Sequence, residues 1–412
     1  MTTVRFDDAL VFDGHGPELR RASVYVEDGL IRAVTDGRDA TPADIVVDVG
    51  GRTLMPGLID AHVHAWIADV NIVRTVRRKT EYLASHLGFS LRGMLDRGFT
   101  TVRDAGGTDP IYVQAIEDGL LAAPRLLASG RIISQTGGHG DFRDAGDEEI
   151  ACGCCAGRTS WGRFAAVVDS VDEARRAVRE EFRKGAAQIK LMGSGGVSSV
   201  SDALDQLPFT DDEIRAVVEE AERHGSYVMA HCHPAEAIRR MVELGVRSVE
   251  HGTLIDEETA RFVAERGAFV VPTLATIHML KLDGRNQGFP EISLQKLEAV
   301  IGPAQQSLEI LKRAGVRTGF GTDLLGPHQK FQGIEFALRG EVLPALDVLR
   351  SATSVNAEIL RLDGKAGVIA PSAYADLIVV DGDPLADLSL LARGGENLAV
   401  IMKGGRFHKR LI

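Results

Sequence analysis

The sequence predicts an α/β protein: a (β/α)8 TIM barrel with a small β-sandwich domain formed from both chain ends. Three observations predict it. Through the middle of the chain, short apolar strand-like runs alternate with amphipathic helical stretches. The alternation reaches eight strand candidates, the count that closes a barrel. The two ends read as short strands split by glycine turns, and neither could bury a sheet well alone.

Residues 1–57 read as the N-terminal part of the sandwich. Strand-like runs at 3–11, 22–26, 30–34 and 45–49 are separated by Asp13-Gly14, Asp28-Gly29 and Gly50-Gly51. Glu27-Asp28-Gly29 is a hairpin signal. The barrel is expected over residues 58–364, with strands at 58–62, 100–104, 125–129, 188–192, 227–231, 248–251, 269–273 and 317–323. Helical periodicity fills the gaps, for example at 171–184, 211–224 and 293–314. Residues 365–412, with runs at 375–383 and 398–406, complete the sandwich. An open doubly wound sheet is the alternative, but no G-x-G-x-x-G follows the first barrel strand.

The chain has 412 residues, 44% hydrophobic and 25% charged, which suits one large soluble domain with a smaller one. Its net charge of −11 is spread without a basic block, which argues against nucleic-acid or membrane-surface partners. No apolar run approaches the ~20 residues of a membrane span. The N-terminus lacks signal-peptide character, so a cytoplasmic location is expected. Cys152, Cys154 and Cys155 sit in a glycine-rich stretch without C-x-x-C spacing. They read as free thiols of a reducing compartment, with a metal or redox role as the alternative.

Barrel sites lie at the C-terminal ends of the strands. Those ends carry His62 and His64, Lys190, His231, His251 and Asp323. His62 and His64 are two apart, so they share a face of a strand. Alone they fit a core histidine pair as well as half a metal site. Set beside the other four ligand-type residues, they point to metal binding. Lys190 stands on an apolar strand, where burial lowers an amine's pKa and frees it to take up carbon dioxide as an anionic carbamate. The loop Gly193-Ser194-Gly195-Gly196-Val197-Ser198-Ser199 lacks a Walker ending and is expected to bring backbone amides near a substrate. Arg103, Asp104 and His328 are weaker candidates for substrate contact, and Trp66 and Met279 read as packing.

Together, Pro56-Gly57-Leu58-Ile59-Asp60-Ala61-His62-Val63-His64, Lys190 followed by Gly193-Ser194-Gly195-Gly196-Val197, Ala230-His231, Glu250-His251-Gly252, Gly321-Thr322-Asp323 and Ala375-Asp376-Leu377-Ile378-Val379 resemble the amidohydrolase superfamily. The nearest branch is the binuclear-metal one of Xaa-Pro and Xaa-Arg dipeptidases, often termed imidazolonepropionase-like. The resemblance implies two divalent ions, with Zn²⁺ the expectation. His62, His64 and Asp323 would hold one and His231 and His251 the other, bridged by carboxylated Lys190 and a nucleophilic hydroxide. It implies that Asp323 shuttles the proton, that His139 polarises the substrate carbonyl, and that His233, where relatives often carry tyrosine, contacts the substrate carboxylate.

The expected activity is hydrolysis of an amide bond in a dipeptide or N-acyl amino acid, Xaa-Pro or related, with side activity on phosphate or carbamate esters. Two other readings stand beside it. A mononuclear deaminase or cyclic-amide hydrolase of the imidazolonepropionase type would usually lack Lys190, and many carry a glutamate where this chain has Pro234. A non-catalytic barrel scaffold would have shed metal ligands, and all six remain. Asp141, Asp144, Asp202 and Asp205 could receive a basic substrate side chain. A homo-oligomer is expected on the general behaviour of large cytoplasmic enzymes.

Overall fold

The computed structural model describes residues 2–37, 40–143 and 160–412. Cys152, Cys154, Cys155 and Asp144 lie outside the described residues.

Both chain ends meet in one eight-stranded sheet. Its strands are β1 (Val4–Val11), β2 (Arg20–Glu27), β3 (Leu30–Asp36), β4 (Ile45–Asp48) and β5 (Thr53–Pro56), with β16 (Leu377–Val380), β17 (Leu398–Lys403) and β18 (Arg406–Arg410). The order is β18-β17-β16-β5-β1-β2-β3, with β4 on β1. The seam between the ends is the antiparallel pair β5–β16, where Met55 faces Ile378 and Leu54 faces Val379. Phe6, Val24, Leu54, Val379 and Val400 are buried in one cluster across that seam, so each end supplies the apolar cover the other lacks. The β2–β3 hairpin turns where expected. Asp28 and Gly29 both take positive φ, 54° and 77°, as a tight type I′ connection demands.

Between these ends the chain alternates strands and helices in two parallel sheets. One runs β6 (Leu58–Val63), β7 (Phe99–Asp104) and β8 (Arg125–Ala128). The other contains β9 (Ile132–Ser134), β10 (Ala165–Val167), β11 (Ile189–Met192), β12 (Val228–Pro234), β13 (Ser248–Leu254), β14 (Phe269–Val271) and β15 (Arg317–Thr318). Its order is β10-β9-β11-β12-β13-β14-β15. Backbone hydrogen bonds tie the two sheets together. Ala61 N donates to Phe320 O at 2.8 Å and Asp323 N to His62 O at 2.8 Å.

All eight strand candidates of this region contain a strand. Two three-residue strands, β9 and β10, were not anticipated, because runs that short carry no period to read. The eighth strand is only Arg317–Thr318, since the chain beyond it bonds to β6 rather than continuing along β14.

Helix starts follow their local chemistry. Thr210 caps helix Asp211–Arg223 in a capping box with Glu213, and Ser170 caps helix Val171–Lys184. The faces carrying Ile214, Val217 and Ala221, and Ala174 and Val178, are buried in one apolar cluster with residues of β11, β12 and β13. Among the described residues, no helix is long and apolar enough to cross a membrane.

Candidate metal and active site

The parallel register sets the site residues level. Met192 lies beside His231, which lies beside Glu250, and Cys232 lies beside His251. Lys190 is the second residue of a strand buried along its whole length. β12 continues through His233, so His231 and His233 share a face as their spacing requires. His62 is the penultimate residue of the fully buried β6, and His64 directly follows the strand. All eight predicted residues, His62, His64, His139, Lys190, His231, His233, His251 and Asp323, line one cavity.

Asp323 is its polar centre. Its Oδ1 stands 3.3 Å from His64 Nε2 and 3.5 Å from His62 Nε2, and its Oδ2 stands 3.9 Å from His251 Nδ1. His62, His251 and Asp323 each offer a ligand atom within 4.8 Å of the others. The His231 and His251 ring centroids are 4.6 Å apart, and those of His231 and His233 are 4.8 Å apart. His251 and Asp323 take positive φ, 69° and 52°, which non-glycine residues seldom adopt. Backbone strain of this kind collects at functional sites.

The hydrogen bonds around the rings decide which nitrogen faces inward. His62 Nδ1 donates to Glu250 Oε2 at 2.7 Å, and His64 Nδ1 donates to the Gly106 carbonyl at 2.9 Å. Both leave Nε2 as the lone-pair atom. His62 Nε2 is buried and has no hydrogen-bond partner. His231 Nε2 donates to Gly195 O at 3.2 Å, which leaves its Nδ1. Burial, with Lys190 nearby, pushes His62 down to about 4, and burial pushes His231 and His251 well below the usual imidazole range. Burial also lowers the Lys190 ammonium to about 8. Burial alone would raise Asp323, yet His62 and His64 outweigh it and hold the carboxyl below its ordinary value. His64 goes the other way from those rings: burial alone would lower it, but Asp323 outweighs burial and raises it. Imidazoles, a carboxylate and an amine freed by burial make a donor set for a divalent cation. An orphaned buried lone pair among them fits the same occupant.

Several residues named in the sequence only as weak contact candidates, packing or parts of motifs turn out to support the site. Arg103 and Glu250 are fully buried and pair at 2.8 Å behind His62. Arg103 also donates to Ala61 O at 2.6 Å and so belongs to the scaffold, not to substrate. Asp104 accepts from Ala65 N, Gly106 N and Thr108 Oγ1, shaping the turn that meets His64. Asp60 accepts from Thr322 and Gln332 and fixes the approach of the Asp323 segment. His328 faces Asp283 at 3.3 Å, while Trp66 and Met279 are buried packing residues.

The glycine-rich loop narrows an expectation. The amides of its first four residues are already used: Gly193 N and Ser194 N donate to His231 O, Gly195 N to Gln206 O, and Gly196 N to Asp202. What the loop offers inward is a carbonyl for His231 and, at Gly196, room for His139. A Cβ at Gly196 would lie 2.2–2.6 Å from three atoms of the His139 ring. Gly196→Ala is therefore expected to displace that ring. Overpacking of this kind costs about 1–3 kcal/mol, so a thermal melt and the hydrolysis rate should both fall, with metal content retained.

Residues 53–406 match the amidohydrolase family. Ochratoxinase of Aspergillus niger is 31% identical over 97% of this chain and 85% of its own length. A solved prolidase complexed with N-methylphosphonate-L-proline superposes with a TM-score of 0.95 at 45% identity, over 99% of this chain and 100% of its own. A solved Xaa-Pro dipeptidase with bound methionine in its active site gives 0.89 at 30% identity, over 99% and 100%. The family match runs from β5 through the parallel sheets that carry the histidine cavity to the C-terminal strands of the two-ended sheet, and the chain belongs to the amidohydrolase family.

Proposed function

We propose that this protein hydrolyses the amide bond of a dipeptide or N-acyl amino acid, of the Xaa-Pro or a related class. The observation that carries this reading is the convergence of eight ligand-type and proton-moving side chains on one cavity. Similarity to a prolidase, an Xaa-Pro dipeptidase and an ochratoxinase supports the amide as the bond broken. The reading includes closure of the two parallel sheets into one barrel over residues 58–364, supported by the hydrogen bonds from β6 to the Asp323 segment. It takes 1–57 and 365–412 as the two parts of the smaller domain.

His62, His64 and Asp323 would hold one divalent ion and His231 and His251 a second, with Lys190, as its carbamate, between them. Zn²⁺ suits this mixture of imidazole and carboxylate. When bound, such ions supply Lewis acidity and make water a nucleophile at neutral pH. The chain's own residues do the rest. His139 donates to the substrate carbonyl oxygen as negative charge develops there. Asp323 accepts the proton of the attacking water and returns it to the leaving nitrogen. His233, whose Nδ1 is bonded to Thr253 Oγ1 at 2.6 Å, keeps Nε2 for the substrate carboxylate.

The test is a library of dipeptides and N-acyl amino acids offered to the zinc-loaded protein. Cleavage of amides is expected. Turnover of only lactams or aminated rings would defeat the reading. Chelation should abolish hydrolysis and added Zn²⁺ restore it. The compact group His62, His251 and Asp323 would also suit a single ion. A metal count near one per chain would move the assignment to a mononuclear hydrolase.

A further inference from the structure

We propose that Asp202 is a positioning residue for His139: its carboxylate fixes the Nδ1 edge of the ring and so reserves Nε2 for substrate, with Lys296 as its anchor. The inference rests on the reading above, in which His139 meets the scissile carbonyl.

The polarity of the hydrogen bonds leads there. His139 Nδ1 lies 2.7 Å from Ser199 Oγ and 3.3 Å from Asp202 Oδ2. Ser199 donates its own hydroxyl proton to Asp202 Oδ1. An ionised carboxylate can only accept, so the serine hydrogen is committed and its oxygen must accept from the ring. The chain of bonds thus runs one way, from His139 Nδ1–H to Ser199 to Asp202. It fixes a hydrogen on Nδ1, so a ring that also donates from Nε2 to a carbonyl oxygen carries both hydrogens, with the Asp202 carboxylate beside it as counter-charge in the cavity wall.

The carboxylate is built to stay charged. Its side chain is completely buried, and Gly196 N donates to Oδ2 at 3.2 Å. Lys296, from helix Glu291–Arg313, reaches Oδ1 at 2.9 Å and spends its other two bonds on Gly196 O and Ser199 O, both at 2.8 Å. A lysine that gives every donor to one loop is not a solvated surface charge. Burial alone would push the Asp202 carboxyl up, but His139, Ser199 and Lys296 outweigh it and hold it well below the usual range. An asparagine at 202 would break the one-way chain. Its amide could donate to Ser199, which would then donate to Nδ1 and leave a neutral ring, a weaker Nε2 donor than one paired with a carboxylate.

The experiment uses the full zinc-loaded chain and whichever amide the wild type cleaves. Asp202→Asn should lower kcat about tenfold or more, with KM within about threefold and metal content unchanged. In combination with His139→Gln it should add little to the loss caused by His139→Gln alone, as expected of residues acting as one unit. Additive losses, or an Asp202→Asn rate within about twofold of wild type, would overturn the proposal. Nitrogen-15 histidine spectra give a readout that needs no substrate. The wild type should show His139 protonated at Nδ1, and Asp202→Asn should not; an unchanged spectrum overturns the proposal even where no amide is cleaved. Should Asp202→Asn fail to fold, Lys296→Met carries the same two tests. It should lower kcat in the same direction and Lys296→Arg should recover part of the loss, whereas a wild-type rate and spectrum in Lys296→Met overturns the anchor.

Discussion

Lys190→Ala is expected to lose bound metal and amide hydrolysis together, with activity falling at least about 100-fold. The side chain is 1% exposed and stands on a strand buried throughout, a costly place for an ammonium. Burial brings its pKa to about 8, which leaves about a tenth of it as free amine at pH 7. The amine can then add to carbon dioxide, releasing a proton and forming a carbamate. That conversion turns a cationic side chain of the cavity wall into an anion among imidazoles. Alanine removes both the amine and the anion it could become. Metal content by elemental analysis and hydrolysis of the best amide in the library are the measurements. Two metals per chain with an undiminished rate would remove Lys190 from the site. A Lys190→Ala protein given a short-chain carboxylic acid in the buffer should regain part of its metal, because the missing group is then supplied in trans.

The ligand candidates were legible because strand geometry converts sequence spacing into shared direction. His62 and His64, and His231 and His233, needed only the two-residue period. Asp323 and Lys190 needed only the rule that a parallel α/β array opens at its strand ends. What escaped were contacts between segments with no common period. Asp202 and Lys296 are 94 residues apart and meet where a loop crosses a long helix. In sequence Asp202 is one of four acids that could receive a basic substrate side chain; in the structure Lys296 of the same chain occupies it. The glycine-rich loop suggested free amides because glycines permit close backbone approach, but sequence does not say which backbone group faces inward. Here the amides of residues 193–196 are consumed, the Gly195 carbonyl meets His231 and the Gly196 carbonyl meets Lys296. At the two ends of the chain, the alternating strands and the Asp28-Gly29 turn foretold the parts. The β5–β16 seam between them rested only on the argument that neither end could cover itself.

Glu250→Gln should be the most destabilising conservative substitution behind the site, and the reason is the charge it strands. Glu250 and Arg103 are both fully buried, 2.8 Å apart, and Glu250 also takes the His62 Nδ1 proton at 2.7 Å. Burial alone would raise this carboxyl, but Arg103 and His62 outweigh it and hold it at about 2. Such a pair is a weak source of net stability while intact, since desolvation consumes most of the attraction. Breaking it is different. The Arg103 guanidinium would remain buried with Ser248, the Tyr227 hydroxyl and the Ala61 carbonyl as its partners and no counter-charge. That situation costs about 3–5 kcal/mol, which denaturant unfolding would read as a shifted midpoint at an unchanged slope. The glutamine also weakens the constraint on His62, because an amide can turn its NH₂ toward Nδ1 and invert the ring's tautomer. Metal affinity should therefore fall in the same variant by about 10–100-fold. Arg103→Met separates the two effects. It strands the carboxylate instead, so stability should fall, while the Glu250–His62 bond survives and metal affinity should fall less than in Glu250→Gln. Equal losses of affinity in both variants would mean that the network acts on the metal site only through overall stability.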